Sequence, residues 1–154
     1  MKKAQTLSPE KFHQQFQKFA NKEAGLLSRA VLKGVVVEVH SGIVLRNPVL
    51  SGLSRNNWFL TLETPHVGSV DEVAGVSLTG APLTRREKSR QKDLIRAIDG
   101  AQDLPSKVWI TNNLHYISRL EAGWSSKAPA GMVGLAISSV SMGGVKLQVR
   151  AVVR

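Results

Sequence analysis

The chain has 154 residues, 42% of them hydrophobic and 21% charged, the balance of one ordinary domain that buries roughly two-thirds of the surface its unfolded form exposes. It contains no cysteine, which removes disulfides, thiolate catalysis and cysteine-zinc sites together, and no apolar run approaches the ~20 residues of a membrane span. Lysine and arginine number 21 against 11 aspartates and glutamates, and this net +10 points to acidic protein surfaces or nucleic acid as partners.

Residues 1–7 read as a flexible tail whose basic start, Met1-Lys2-Lys3, lacks the apolar stretch of a secretory signal. Ser8-Pro9 is a helix start, because the Ser hydroxyl caps free amides and Pro at the first helical position loses nothing. Phe12, Phe16, Phe19, Leu26 and Ala30 follow as the seam of an amphipathic helix, rings expected in a core. Between Val35 and Leu45 two patterns compete. Val35, Val37 and Val39 alternate as in a strand, whereas Val31, Val35, Val39 and Ile43 fit one helical face. Gly34 and Gly42 each cost about 1 kcal/mol in a helix, and Asn47-Pro48 is a natural helix stop.

Ser51 is placed to cap a short turn through Arg55, after which Trp58, Leu60 and Leu62 alternate with Phe59, Thr61 and Glu63 as a half-buried strand ended by Pro65. From His66 to Leu83 the Gly, Ser and Pro content predicts a long loop, functional or disordered. Thr84-Arg85-Arg86-Glu87 is a capping box that opens a helix running to Asp99 and stopping at Gly100. Loop and helix together read as an insertion over 65–106. Leu94, Ile95 and Ile98 lie only in the helix's second half, so the first half, with Arg85, Arg86, Lys88, Arg90 and Lys92, is expected to be solvated or to face a partner. Such a run binds phosphates without reading sequence, or docks on acidic protein.

Val108 and Ile110 alternate with Trp109 and Thr111 as a strand that stops at Asn112-Asn113. Tyr116, Leu120 and Trp124 then recur every four residues, which puts them on one side of a helical turn with Arg119 and Glu121 pointing elsewhere and Gly123 ending it. Ser125 to Gly131, with Lys127 and Pro129, is expected to be an exposed interface loop. Met132, Leu135, Ala136, Ser139 and Val140 make a small-residue helix ending at Gly143-Gly144, and Val145, Leu147, Val149 and Ala151 alternate with Lys146, Gln148 and Arg150 as a strand with one basic face. The fold class is α+β: a long N-terminal helix packed on a small, mainly antiparallel sheet, with additional short helices, in a single domain over 1–154.

No glycine-rich phosphate loop follows a strand, and no local motif supplies a Ser, His and Asp set. His13, His40, His66 and His115 lack the short spacings of metal ligands. No catalytic residue, metal or cofactor is assigned, and the chain is not expected to be an enzyme.

Asn112-Asn113, Tyr116, Arg119-Leu120-Glu121, Gly123-Trp124-Ser125 and Ala128-Pro129-Ala130-Gly131-Met132-Val133 resemble the signature of the neck and tail-completion proteins of tailed bacteriophages. Upstream, Pro48-Val49-Leu50-Ser51-Gly52 with Arg55, Asn57 and Trp58 is similar to that family's other motif, usually Pro-Val-Asp-Thr-Gly followed by Leu-Arg and Ser-Trp. The chain departs from the pattern at Leu50, Ser51, His115, Ala122 and Gly134. The resemblance implies one helix from Pro9 to about Arg46, about 55 Å long and shared with neighbouring subunits. It also implies a virion protein without enzymatic activity: a homo-oligomeric, hexameric ring between the tail end, with its tail-tube or tail-terminator protein, and the head connector proteins, through which genomic DNA passes without specific binding. Arg55, Trp58, Tyr116, Arg119, Glu121, Trp124, Lys127 and Pro129 are the expected subunit or partner contacts, and Arg85, Arg86, Lys88, Arg90 and Lys92 the basic docking face. A different class of function for the same composition is a small basic protein that binds nucleic acid without sequence preference.

Overall fold

Both apolar patterns in the first third of the chain resolve into one element, α1, a continuous helix over Pro9–Arg46. The computed structural model describes residues 9–140. The tail 1–7, the strand expected at 145–151 and the side chains of Phe12, Phe16 and Phe19 lie outside the described residues. Val35, Val36, Val39, Ile43 and Val44 are buried while Val31 is exposed, the distribution of a helix that gains a core only in its second half. Strand propensity at Val35, Val37 and Val39 is therefore overridden by packing. Gly42 serves that packing directly: a Cβ there would lie 3.0 Å from Ala136 Cβ, so its absence lets a later helix approach the backbone closely.

Six further elements follow in order: α2 (Leu53–Asn56), β1 (Phe59–Leu62), α3 (Arg85–Gly100), β2 (Val108–Thr111), α4 (Ile117–Glu121) and α5 (Val133–Ser139). The fold is α+β, a long helix against a two-stranded antiparallel sheet with shorter helices around it. β1 and β2 pair with Phe59 opposite Thr111 and Leu62 opposite Val108. Leu60, Leu62, Val108 and Ile110 turn one face of this sheet onto Val36, Leu94 and Ile98, joining α1, α3 and the sheet. A larger cluster gathers Val35, Val39, Ile43 and Val44 with Trp58, Ile117, Met132, Val133 and Ala136, where each fully buried aliphatic side chain contributes about 1.5 to 3 kcal/mol. Met132 and Ala136 have no exposed surface at all, which fixes α5 on α1.

The capping box of α3 forms as the sequence requires, with Thr84 Oγ1 accepting from Glu87 N at 3.2 Å and Glu87 Oε2 accepting from Thr84 N at 2.7 Å. Its first half is not simply solvated, however. Glu87 and Gln91 are buried, and they turn polar groups inward where apolar periodicity gave no signal. The other end of α3 is held by Arg29, which donates to the carbonyls of Ile98, Ala101 and Gln102. That places a cation against the orphan carbonyls and the negative end of the helix dipole.

The segment between β1 and α3 contains no helix or strand, yet it is tied down. Asn57 Nδ2 donates to Leu53 O and Val70 O, and Asn57 Oδ1 accepts from Val70 N at 2.8 Å. Asn56 Nδ2 donates to Glu72 O, Val49 N donates to Thr79 Oγ1, and Asn113 Nδ2 reaches His66 O and Gly68 O. Asn56 and Asn57, both buried, together with the exposed Asn113 thus replace the apolar anchors that the segment lacks.

Candidate functional site

The two motif stretches meet. Asn47, just past α1, is fully buried and uses its whole amide: Nδ2 donates to Pro48 O at 2.9 Å and Ser54 Oγ at 2.7 Å, and Oδ1 accepts from Trp58 Nε1 at 2.9 Å. Asn112, after β2, donates to Ser54 O at 2.8 Å and accepts from Leu114 N. These bonds fix residues 48–54 beside the start of α4, so the surface between them is built on a rigid polar base.

Above that base lies a groove of about 430 Å³, lined by Val49, Leu50 and Leu53 on one side and by Tyr116, Leu120 and Trp124 on the other. The four-residue spacing of Tyr116, Leu120 and Trp124 does place all three on one side. Burial raises the Tyr116 phenol above its usual value, so it stays a neutral hydroxyl at the groove floor. Trp124 is 72% exposed and Leu50 98% exposed, one large apolar side chain on each side of the groove. The Arg119 guanidinium lies 5.1 Å from the centre of the Trp124 ring.

The stretch 125–131 is an exposed loop held to its own chain at several points. Gly123 has φ +84°, and a Cβ on it would fall 2.3 Å from Pro129 O, so the chain folds back tightly over this glycine. Ala128 is buried in the larger core cluster, and Lys127 Nζ donates to Val49 O at 2.9 Å across the groove. Glu121 completes the fold-back: Oε2 accepts from Met132 N and Val133 N at 2.8 and 2.9 Å, and Oε1 accepts from Gly134 N at 3.0 Å. This carboxylate caps α5, whose own N-cap residue Met132 supplies no side-chain acceptor.

The expected contact residues therefore divide. Arg119, Trp124, Lys127 and Pro129 lie at the surface with Tyr116 half-buried beside them, whereas Arg55 and Trp58 are interior. Arg55 and Trp58 are corrected from interface residues to internal anchors, because side chains with 0% and 5% exposure present almost no surface to a partner. Glu121 likewise spends its oxygens within its own chain.

The basic face also divides. Arg86 pairs with Glu72, and Arg90 is half-buried, donating to Asn56 O at 2.5 Å and Trp58 O at 3.0 Å with its guanidinium 4.2 Å from the centre of the Phe59 ring. Arg90 is thus corrected from a docking cation to a strut between α3 and β1. Arg85, Lys88 and Lys92 share one exposed side of α3 with no side-chain partner among the described residues. Arg96 extends that side, bonded among the described residues only to Asp93 at 3.4 Å. Sequence reading omitted Arg96 because it sits among apolar residues, although its spacing from Lys92 and Arg85 was visible.

Behind the site, His40 is fully buried between α1 and α3. Gln91 Nε2 donates to His40 Nδ1 at 3.0 Å and to Ser41 Oγ at 2.9 Å, so Nδ1 acts as acceptor and the ring proton sits on Nε2. Burial lowers the His40 pKa to about 4, against the Trp58 backbone and the Glu87 carboxylate, which act to raise it. His40 is thus neutral at pH 7. Among the described residues no group of three or more His, Cys, Asp or Glu side chains is placed to hold a metal ion, and no helix is long and apolar enough to cross a membrane. Compared with known protein families, curated proteins and solved structures, the chain matches none.

Proposed function

We propose that this chain is a structural protein of a tailed-phage virion, a tail-completion subunit that forms a hexameric ring in the neck and joins the tail end to the head connector. The observation that carries the reading is the groove. The two motifs that resemble the neck family, around 48–58 and 112–133, are far apart in sequence yet build one surface, with Trp124 and Leu50 exposed on its rim. An exposed tryptophan on a rigid base has the character of an interface anchor. The 38-residue α1, about 57 Å long, supports the same reading. Only its second half is covered by the described core, and Leu26 and Val31 stay exposed for a neighbour to cover.

The ring works by geometry rather than chemistry: each protomer's α1 and groove pack on the next, and the outer faces meet the tail-tube or tail-terminator protein on one side and the connector on the other. The subunit is made in the host cytoplasm and resides in the virion, and the genome passes through the ring without specific binding. Sedimentation velocity of the purified chain, with electron microscopy of intact particles, tests this. A ring-sized species and density for the protein at the neck are expected. A protein that remains monomeric with its tail partners present and is missing from purified particles refutes the reading.

A second reading, a small basic protein that holds nucleic acid without sequence preference, is favoured by one feature, the exposed row Arg85, Lys88, Lys92 and Arg96. It requires no ring, and it predicts salt-sensitive binding of random duplex DNA by the monomer.

A further inference from the structure

The connection between α3 and β2 carries an acidic and apolar tip at the surface. Leu104 is 47% exposed, with the exposed Asp103 before it and Pro105 after it. A residue that precedes proline is pushed into extended backbone, which limits how this tip bends. Both of its ends are pinned. Arg29 Nη2 donates to Ala101 O at 2.9 Å and to Gln102 O at 3.1 Å, and on the other side the Glu63 carboxylate accepts from Ser106 N at 2.8 Å and Ser106 Oγ at 2.7 Å. An apolar side chain on backbone that is already ordered gives up little freedom on binding, so the tip is built as a knob.

Its complement is the groove of Leu50, Leu53, Tyr116, Leu120 and Trp124. Among the described residues the charged group on the groove lining is Lys127, and the Arg119 guanidinium against the Trp124 ring sets a second cation at the rim. Lys127 Nζ donates to a neutral acceptor, Val49 O, at 2.9 Å. A carboxylate in place of that carbonyl makes a charge-assisted bond roughly twice as strong. An apolar side chain with a carboxylate beside it therefore fits this groove on both counts, and Asp103-Leu104 is such a pair.

The knob and the groove of one chain are too far apart to meet. Arg29, which holds the knob, and Arg46, where α1 ends just before Pro48 and Val49 of the groove wall, are about 26 Å apart along the helix axis. Two different patches at the two ends of one long helix make a heterologous contact between copies, the kind that closes into a ring or runs on as a filament. The other exposed run of this type, Asp71-Glu72-Val73, is placed differently. It lies against the groove's own wall, where Ala74 N donates to Gly52 O at 3.3 Å, and Arg86 engages its Glu72.

We propose that the Asp103-Leu104 knob of one copy seats in the groove of the next, with Leu104 among Leu53, Leu120 and Trp124 and the Asp103 carboxylate on Lys127. The inference rests on the ring reading, in which each groove packs on a neighbouring protomer, and adds what fills the groove.

The chain has no cysteine, so introduced pairs report cleanly. The full chain carrying both Leu104→Cys and Leu50→Cys is treated with a short bis-maleimide, and Val67→Cys, at a position 82% exposed, replaces Leu104→Cys in the control. The first variant should give a ladder of covalent oligomers, and the control and both single variants no more than dimers. In sedimentation, Asp103→Lys or Lys127→Asp alone should raise the concentration needed for assembly by about tenfold or more, because each sets like charges face to face, and the two together should restore it. Absence of the ladder, an equal ladder from the control, or failure of the double reversal to assemble better than either single one overturns the proposal. A native chain that forms rings without the ladder removes the knob and leaves the ring reading standing. A ladder from a protein that forms open filaments and is missing from the necks of intact particles upholds the contact and refutes the ring.

Discussion

Arg55 and Glu87 form a buried bidentate ion pair, with Nε on Oε1 at 2.8 Å and Nη2 on Oε2 at 3.0 Å, and neither side chain has more than 1% of its surface exposed. The pair joins α2 to the N-terminus of α3, and Arg55 Nη2 also donates to Pro82 O at 2.8 Å. One carboxylate thus serves two purposes, since Glu87 Oε2 also accepts from the Thr84 amide. Removing one partner leaves a buried, uncompensated charge, so Arg55→Ala should cost about 3 to 5 kcal/mol. Replacing both by leucine should recover only part of that, because the capping bond at Thr84 is lost as well. Chemical denaturation of Arg55→Leu, Glu87→Leu and the double variant checks this, and additive losses would show that the two residues are not coupled.

Trp58 is the second anchor of this motif. Its ring lies in the larger core cluster and its Nε1 donates to Asn47, which also holds Pro48 and Ser54. Trp58→Ala should cost ~3 to 5 kcal/mol through the cavity, with a further loss from the orphaned Asn47 oxygen. Trp58→Phe keeps most of the packing and should lose chiefly the hydrogen bond. A thermal midpoint unchanged in Trp58→Ala would contradict the anchor role.

His40 sets an acid limit on stability. Its pKa is near 6.5 unfolded and about 4 folded, so the unfolded chain binds the proton more readily and stability falls as pH drops from about 6.5 towards 4. The full loss is on the order of 3 kcal/mol. Glu87 adds to this lower down. Burial alone would raise its pKa, but Arg55 and the Thr84 amide together hold it below the usual carboxylate range, so its contribution is lost only as pH falls through that lowered value. Unfolding free energies measured from pH 7 to 4.5 should slope downward in the native chain and run nearly flat in His40→Leu. Equal slopes would place the acid sensitivity elsewhere.

Trp124 separates fold from assembly. Its ring is mostly exposed and touches little of its own chain beyond Arg119, so Trp124→Ala should change stability by no more than about 0.5 kcal/mol. Under the proposed ring assembly, sedimentation should nevertheless show loss of the ring, since a buried tryptophan anchor is typically worth about 2 kcal/mol or more at an interface. A variant that assembles normally would remove the groove from the interface.

Much of this arrangement was legible in the sequence, and the exceptions have physical reasons. Asn47-Pro48, the Thr84 capping box and the Gly123 stop are local signals, and the elements begin and end there, while the Ser8 cap lies outside the described residues. The ambiguity at Val35–Leu45 was one of period, resolved by Ala136 and Met132 packing from the far end of the chain. Glu87 was readable as a cap but not as the partner of Arg55, because a residue's second hydrogen-bonding role depends on contacts 32 positions away. Ser125–Gly131 reads as an exposed loop, and Ser126, Lys127, Pro129 and Ala130 are exposed, but the way the loop is held was not legible. Its fold-back depends on Glu121 bonding to the backbone and on one small buried residue, Ala128.

The exposed cations of α3 supply the last prediction. A ring through which a genome slides works against itself if its lumen makes many phosphate contacts, because each neutralised phosphate adds salt-dependent affinity that resists movement. Under the proposed ring assembly, Arg85, Lys88 and Lys92 should therefore meet acidic surfaces of adjoining rings, outside the channel. Arg86 and Arg90 are left out because Glu72 and the Asn56 and Trp58 carbonyls already engage them. Exposed ion pairs contribute at most about 1 kcal/mol each, so these three charges set the rate and orientation of joining more than final stability. Arg85→Glu, Lys88→Glu and Lys92→Glu combined should leave the thermal midpoint nearly unchanged while slowing or blocking attachment of the ring to its partner, an effect that high salt reproduces in the native protein. Tight binding of the isolated native chain to random duplex DNA at physiological salt, abolished by the same reversal, would instead assign the face to nucleic acid.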